Sequence, residues 1–201
     1  MRSLSDSQST HVPAAAAERF APSRSFGWLW LLALTALCAL PLLMLLQPGI
    51  ADEDPVAVPF VLGITLPLVA FLLAALVSLP AMRYELTPDE LVISCGPLLR
   101  YRLPYAEITD VRRANLLPSL WSSMRMPGLA LWKVPYAQEG TIRMCATRTA
   151  NGILLINTTS GRYGITPAEE ARFAAALVAR LPRGTVSSST VQNALYQTSD
   201  A

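Results

Sequence analysis

The chain has 201 residues, of which 52% are hydrophobic and 15% charged, with a net charge of +2. A soluble domain carries roughly 25% charged residues, so a fully soluble globular protein is not expected, and too much apolar surface would stay wet for the chain to be disordered over most of its length. Three cysteines without paired spacing imply no disulfide framework, and the single histidine, His11, lies in a polar tail, which argues against a Cys/His zinc site and against Ser-His-Asp or Cys-His catalysis.

Residues 1–24 are polar, alanine-rich and broken by proline, and read as a disordered tail. Residues 25–82 read as a transmembrane helical hairpin. Its first span, Trp28 to Leu46, has 19 residues, 17 of them hydrophobic, the exceptions being Thr35 and Pro41. At 1.5 Å per residue that is about 28 Å of helix, close to the hydrocarbon thickness of a bilayer. Trp28 and Trp30 suit the headgroup level. A secretory signal peptide is set aside because the run is too long, begins late and is not followed by a small-x-small cleavage site. The second span, Phe60 to Leu79, has 20 residues, with only Gly63, Thr65, Pro67 and Ser78 outside the hydrophobic set. Pro41 and Pro67 each remove a backbone hydrogen bond and are expected to kink their helices.

The connection from Gln47 to Pro59 carries Asp52, Glu53 and Asp54 and no basic residue. Arg2, Arg19 and Arg24 precede the first span, and Arg83, Arg100, Arg102, Arg112 and Arg113 follow the second. The positive-inside rule then places both termini in the cytoplasm and the acidic loop outside a two-span cytoplasmic (inner) membrane protein.

From Arg83 the pattern changes to short strands. Tyr84 to Leu86 and Leu91 to Cys95 flank the turn Thr87-Pro88-Asp89-Glu90 and read as a hairpin, stopped by Gly96-Pro97. Leu99 to Leu103 alternates apolar and basic residues, the mark of a half-exposed strand. Ile108 to Ala114, Thr141 to Thr147, Ile153 to Asn157 and Arg162 to Ile165 complete seven strands, with Leu116 to Tyr136 left irregular. A C-terminal helix follows. Thr166 is its expected N-cap, Pro167 its first position and Glu169 its third, with an apolar stripe of Phe173, Ala176, Leu177 and Leu181. Residues 183–201 are Ser/Thr-rich and read as a flexible tail.

The expected architecture is α+β: the helical hairpin, then a seven-stranded antiparallel barrel or sandwich over residues 83–182, capped by the helix. The run Arg83-Tyr84-Glu85-Leu86-Thr87-Pro88-Asp89-Glu90-Leu91-Val92-Ile93, the run Arg102 to Val111, and the closing stretches Gly152 to Ile156 and Tyr163 to Pro167 resemble the bacterial pleckstrin-homology-like domains found behind transmembrane helices. The resemblance implies a scaffold for binding lipid or protein, with no reaction and no cofactor. Eukaryotic pleckstrin-homology domains that hold phosphoinositides use basic residues around the first hairpin loop. Here that loop is acidic, so headgroup binding is not carried over to it.

Two groups of residues are candidate contacts. Arg100, Arg102, Arg112 and Arg113 form a basic patch if their strands pair. Leu116 to Tyr136 holds Trp121 and Trp132 with Arg125 and several leucines and methionines, and it is either a partner surface or a segment folded back over the barrel or the second apolar helix. Cys95 and Cys145 are expected as buried thiols. Glu107 and Asp110 flank the start of a strand, where their geometry spoils a catalytic pair, and no glycine-rich phosphate loop is present. The expected function is a non-enzymatic membrane protein that presents its module to another protein. Anionic-lipid sensing through the arginines and the tryptophan segment is the alternative. No metal or nucleic-acid partner is expected.

Overall fold

The computed structural model describes residues 17–45, 57–117, 125–126 and 128–182. The expected tail over 1–16, the acidic connection over 46–56, Trp121 and the tail over 183–201 lie outside the described residues.

The described chain begins with strand β1 (Glu18–Phe20), followed by helices α1 (Gly27–Met44) and α2 (Ala57–Ser78), the latter closed by a single 3-10 turn, Leu79–Ala81. Both helices are long and apolar enough to cross a membrane, and most of their side chains, including Leu37, Leu43, Ile64 and Leu66, are exposed. A core helix of a soluble protein would instead be mostly buried. Two of their hydroxyls are satisfied internally: Thr35 donates to the Leu31 carbonyl and Ser78 to the Ala74 carbonyl, both at 2.6 Å. Such back-bonding removes the cost of a polar group in an apolar medium.

Nine further strands follow among the described residues: β2 (Met82–Leu86), β3 (Glu90–Cys95), β4 (Leu99–Pro104), β5 (Ile108–Ala114), β6 (Arg125–Met126), β7 (Leu129–Tyr136), β8 (Gly140–Ala146), β9 (Ile153–Thr158) and β10 (Gly161–Ile165). Helix α3 (Glu170–Val178) is the last helix or strand among the described residues. The strands make two sheets rather than one seven-stranded barrel. One has the order β1-β2-β3-β4 and the other β5-β9-β10-β8-β7-β6. Pairing is not wholly antiparallel, because β10 runs parallel to β8, with Tyr163 opposite Arg143.

The core lies between the sheets. Tyr84, Leu86, Ile93 and Leu103 of the first sheet meet Leu131, Cys145, Ile156 and Tyr163 of the second, and Phe173 and Leu177 of α3 close one end. Leu31 of α1 and Leu72 and Ala75 of α2 belong to the same cluster. The helices are thus part of the core, not attached to it by a linker.

Three sequence expectations are corrected. First, residues 17–24 are ordered: Glu18, Arg19 and Phe20 pair with Leu86, Glu85 and Tyr84. Phe20 is buried and meets the Phe173 ring edge-on at 5.2 Å. Second, Leu116 to Tyr136 contains the eight-residue strand β7. Its consecutive Leu129, Ala130 and Leu131 are all buried, because Leu129 and Leu131 join the core between the sheets while Ala130 joins a second cluster with Leu116, Val134, Ile142, Met144 and Leu155 on the other face. A strand buried on both faces shows no alternation. Pro135 is tolerated because, among the described residues, β6 lies beside only Leu129 and Ala130, which leaves Pro135 on an edge. Third, Thr166 does not cap α3. Glu169 occupies the N-cap position without a side-chain hydrogen bond, and Thr166 is buried and turned toward β8.

That inward turn builds a hydroxyl chain. Ser23 Oγ meets Thr147 Oγ1 at 2.7 Å, and Thr147 Oγ1 meets Thr166 Oγ1 at 2.9 Å. Tyr84 donates to the Cys145 carbonyl at 2.8 Å and accepts from the Thr166 amide. Ser23 and Ala168 add backbone bonds to Thr166 and Ala21, so residues 21–23 pair with the junction before α3.

Substitution of the anchors of this N-terminal segment tests its part in the fold. Phe20→Ala is expected to cost about 3–5 kcal/mol, as for other buried aromatics. Tyr84→Phe, which strands a buried carbonyl and amide, is expected to cost about 1–3 kcal/mol. Arg19→Ala, on the surface, is expected to stay within about 1 kcal/mol. Denaturant titration of the detergent-solubilised chain reads all three.

Candidate functional site

The structure distributes the expected contact residues over three places. Arg100 and Arg102 stand on β4, the edge of the first sheet, and face outward. Arg112 and Arg113 stand on β5, the edge of the second sheet. The two strands belong to different sheets and do not pair, so the four arginines form no single patch. Arg125 lies in β6 opposite Ala130.

The β5 arginines are engaged in ion pairs. Arg112 reaches the Glu139 carboxylate at 2.7 Å and Asp110 at 3.8 Å. Glu139, in the turn between β7 and β8, also takes Arg162 of β10 at 2.8 Å, so one carboxylate joins β5, β10 and that turn. Arg113 lies 3.7 Å from Glu170 at the start of α3, where a carboxylate is favoured by the helix dipole.

Trp132 is not a free surface aromatic. It stacks on Phe71 of α2 with ring centroids 5.8 Å apart and 26° between planes, and its φ of 62° marks a local break in β7. Of the two readings of this segment, the one in which it folds against the second apolar helix describes Trp132. Nearby, Ser25 donates to the Gly128 carbonyl, and a methyl on Gly27 would collide with that same backbone. Glycine at both positions lets the start of α1 rest directly on the turn before β7.

What remains outward is the face of the first sheet. The register sets two rows: Arg83, Ser94 and Arg100 in one, Arg19, Glu85, Val92 and Arg102 in the other, with the arginines exposed and Ser94 and Val92 of β3 buried between them. Glu85 bridges Arg19 at 3.0 Å and Arg83 at 3.2 Å, and Glu90 lies 3.7 Å from Arg102. Arg100 has no carboxylate partner among the described residues. Four arginines therefore face two glutamates, and the face is cationic. Arg19 and Arg83 are the members the sequence reading missed. Arg83 was visible as the first charge after the second apolar run, but its row with Arg100 exists only through the β2-β3-β4 register.

Chemistry of other kinds finds little to work with. Among the described residues no group of three or more His, Cys, Asp or Glu side chains converges to hold a metal. Cys95 and Cys145 are buried free thiols. Burial pushes the Cys95 thiol up to about 11, and burial followed by the neighbouring Cys95 raises Cys145 well above its usual value. Neutral buried thiols are poor nucleophiles. Asp110 accepts from Asn157 at 3.0 Å and Glu107 accepts from Ser160 at 3.1 Å, so both carboxylates serve structure.

Residues 82–181 match a family model described as a bacterial PH domain. This part of the chain belongs to the bacterial PH domain family. Domains of this kind are generally non-catalytic modules that bind lipid or protein. No curated protein and no solved structure matches the chain. The matched range begins at the first residue of β2 and so leaves out β1, which the fold places in the same sheet.

The raised thiols set a pH dependence. The folded chain keeps Cys95 protonated up to about 11, whereas the usual value is 9.0. Well below pH 9 neither state ionises these thiols, and their contribution to stability does not change with pH. Above it the unfolded chain loses its thiol protons first, so stability falls as pH rises from 9 toward 11. The denaturation midpoint followed from pH 8 to 11 is expected to fall less steeply in Cys95→Ala, and maleimide at pH 7 is expected to leave Cys95 and Cys145 of the folded chain unlabelled.

Proposed function

We propose that this chain is a non-enzymatic integral membrane protein whose two helices hold its PH domain at the cytoplasmic face of the cell membrane, where the outward arginine face of the first sheet binds an acidic segment of another protein. The observation that carries the reading is the β1–β2 pairing. The strand before α1 and the strand after α2 are hydrogen-bonded neighbours, so both lie on one side of whatever layer the helices enter. The charge pattern then supports the cytoplasmic side. Arg19, Arg24 and Arg83 flank the helices there, while the connection between the helices carries Asp52, Glu53 and Asp54.

Arg100 and Arg102 are the residues proposed to make the contact, with Arg19 and Arg83 beside them. Each guanidinium presents a planar fork suited to a carboxylate. Mounting the domain on the membrane confines it near other membrane-associated proteins, so a weak contact suffices. One observation favours a second reading, binding of the anionic lipid surface itself. Arg83 comes five residues after the last residue of α2, which puts the row of Arg83, Ser94 and Arg100 nearest the end of the helix.

A photoreactive side chain in place of Arg102, in the full-length chain in intact membranes, separates the two. A protein adduct that disappears in Arg100→Glu supports the first reading. Adducts to lipid alone, equally lost in Arg100→Glu, support the second. Adducts unaffected by the charge reversal remove the arginine face from both.

A further inference from the structure

Where the domain meets the helices there is a cleft of about 460 Å³. One wall is the N-terminal segment with Arg24 and Ser25, another is the start of α1 at Trp28, and the third is the end of α2 at Leu76, Leu79 and Pro80. Arg24 and Trp28 also wall a second hollow of about 400 Å³ beside it. The volume lies within the usual range for small-molecule sites, roughly 300–1,000 Å³.

The lining is divided by chemistry. Leu76, Leu79, Pro80 and the face of Trp28 offer hydrocarbon. Arg24 offers a cation that is exposed and has no carboxylate partner among the described residues. The hydroxyls are already in use, Ser23 with Thr147 and Ser25 with Gly128, so the guanidinium is the side-chain cation available to a ligand. The cleft also sits at a defined level. Start of α1 and end of α2 mark the boundary between apolar helix and polar domain, and Phe26, Trp28 and Trp30 are exposed there, as aromatics are at a headgroup layer.

From this geometry we infer that the junction cleft binds an anionic phospholipid of the surrounding bilayer, with its phosphate on Arg24 and the upper part of an acyl chain along Leu76, Leu79 and Trp28. The site is separate from the arginine face of the first sheet and rests on the reading of α1 and α2 as membrane spans. Phosphate recognition falls to Arg24 because its fork donates to two oxygens at once. The apolar walls favour a lipid over a free phosphate, since a soluble ion leaves them wet.

The full-length chain, purified in mild detergent with its own lipid and examined by native mass spectrometry, tests this. The wild type is expected to retain phosphatidylglycerol in preference to phosphatidylcholine when both are supplied. Arg24→Ala is expected to lower that retention about fivefold, the effect of one basic residue at an anionic surface. Arg24→Lys is expected to restore part of it. Leu79→Trp, which narrows the cleft, is expected to lower retention of both lipids, with circular dichroism confirming that the variant is folded. Arg162→Ala, which removes a surface basic residue paired with Glu139 on the second sheet, is expected to leave retention unchanged. Equal retention of the two lipids by the wild type, or unchanged retention in Arg24→Ala, overturns the proposal while leaving the spans intact. Release of the wild-type chain from membranes by alkaline carbonate overturns the spans and the lipid site together.

Discussion

The arrangement depends on one short pairing. Three residues before α1 are hydrogen-bonded to three residues after α2, so the helical hairpin is an insertion within a sheet. Without β1, β2 would be an open edge and Phe20 would leave its place against Phe173. The same segment continues past β1 to bond the junction before α3 and then the turn before β7. In about ten residues it touches both sheets and the end of the core, which explains why so small a strand has so large a structural effect.

The polar part of this closure is buried and fully used. The Ser23, Thr147 and Thr166 hydroxyls bond one to the next, and the Thr166 amide donates to the Tyr84 hydroxyl. Burial pushes the Tyr84 hydroxyl far above its ordinary range, so it remains a donor to the Cys145 carbonyl. A satisfied network of this kind favours one arrangement of its members, because any slip strands a buried polar group. The glycine contact between Gly27 and Gly128 acts in the same direction by steric means: the backbones touch, and neither position has room for a side chain.

Much of the fold was legible in the residues. The two apolar runs matched α1 and α2 within a few residues, and the hairpin at Thr87-Pro88-Asp89-Glu90 formed as its turn chemistry requires, with Thr87 Oγ1 bonded to the Glu90 backbone. Period two marked β4 because only one of its faces is buried. The pattern vanished in β7, where both faces are covered, and it had too few residues to show in β1. Thr166 and Glu169 read as a capping box because spacing alone does not reveal that a hydroxyl has a buried partner 19 residues away at Thr147. The site was less legible than the fold. Arginines were easy to find, but whether each faces a carboxylate depends on long-range pairing: Arg112 and Glu139 are 27 residues apart.

Packing decides which surface is left for recognition. The second sheet has spent both faces, one on the shared core and one on the cluster around Ile142 and Met144. Its arginines are drawn into the Glu139 and Glu170 pairs, and Trp132 is taken by Phe71. Helix α3 gives its apolar stripe to the core. The first sheet differs, because its inner face supplies the core while its outer face carries four arginines for two glutamates. Leu31, Leu72 and Ala75 fix the ends of the helices in that same core, so the helices and the arginine face are parts of one packed unit. A domain on a loose tether would present all its surfaces in turn. Here the helices and the first sheet keep one orientation relative to each other, and the charge excess lies on that one face of the unit.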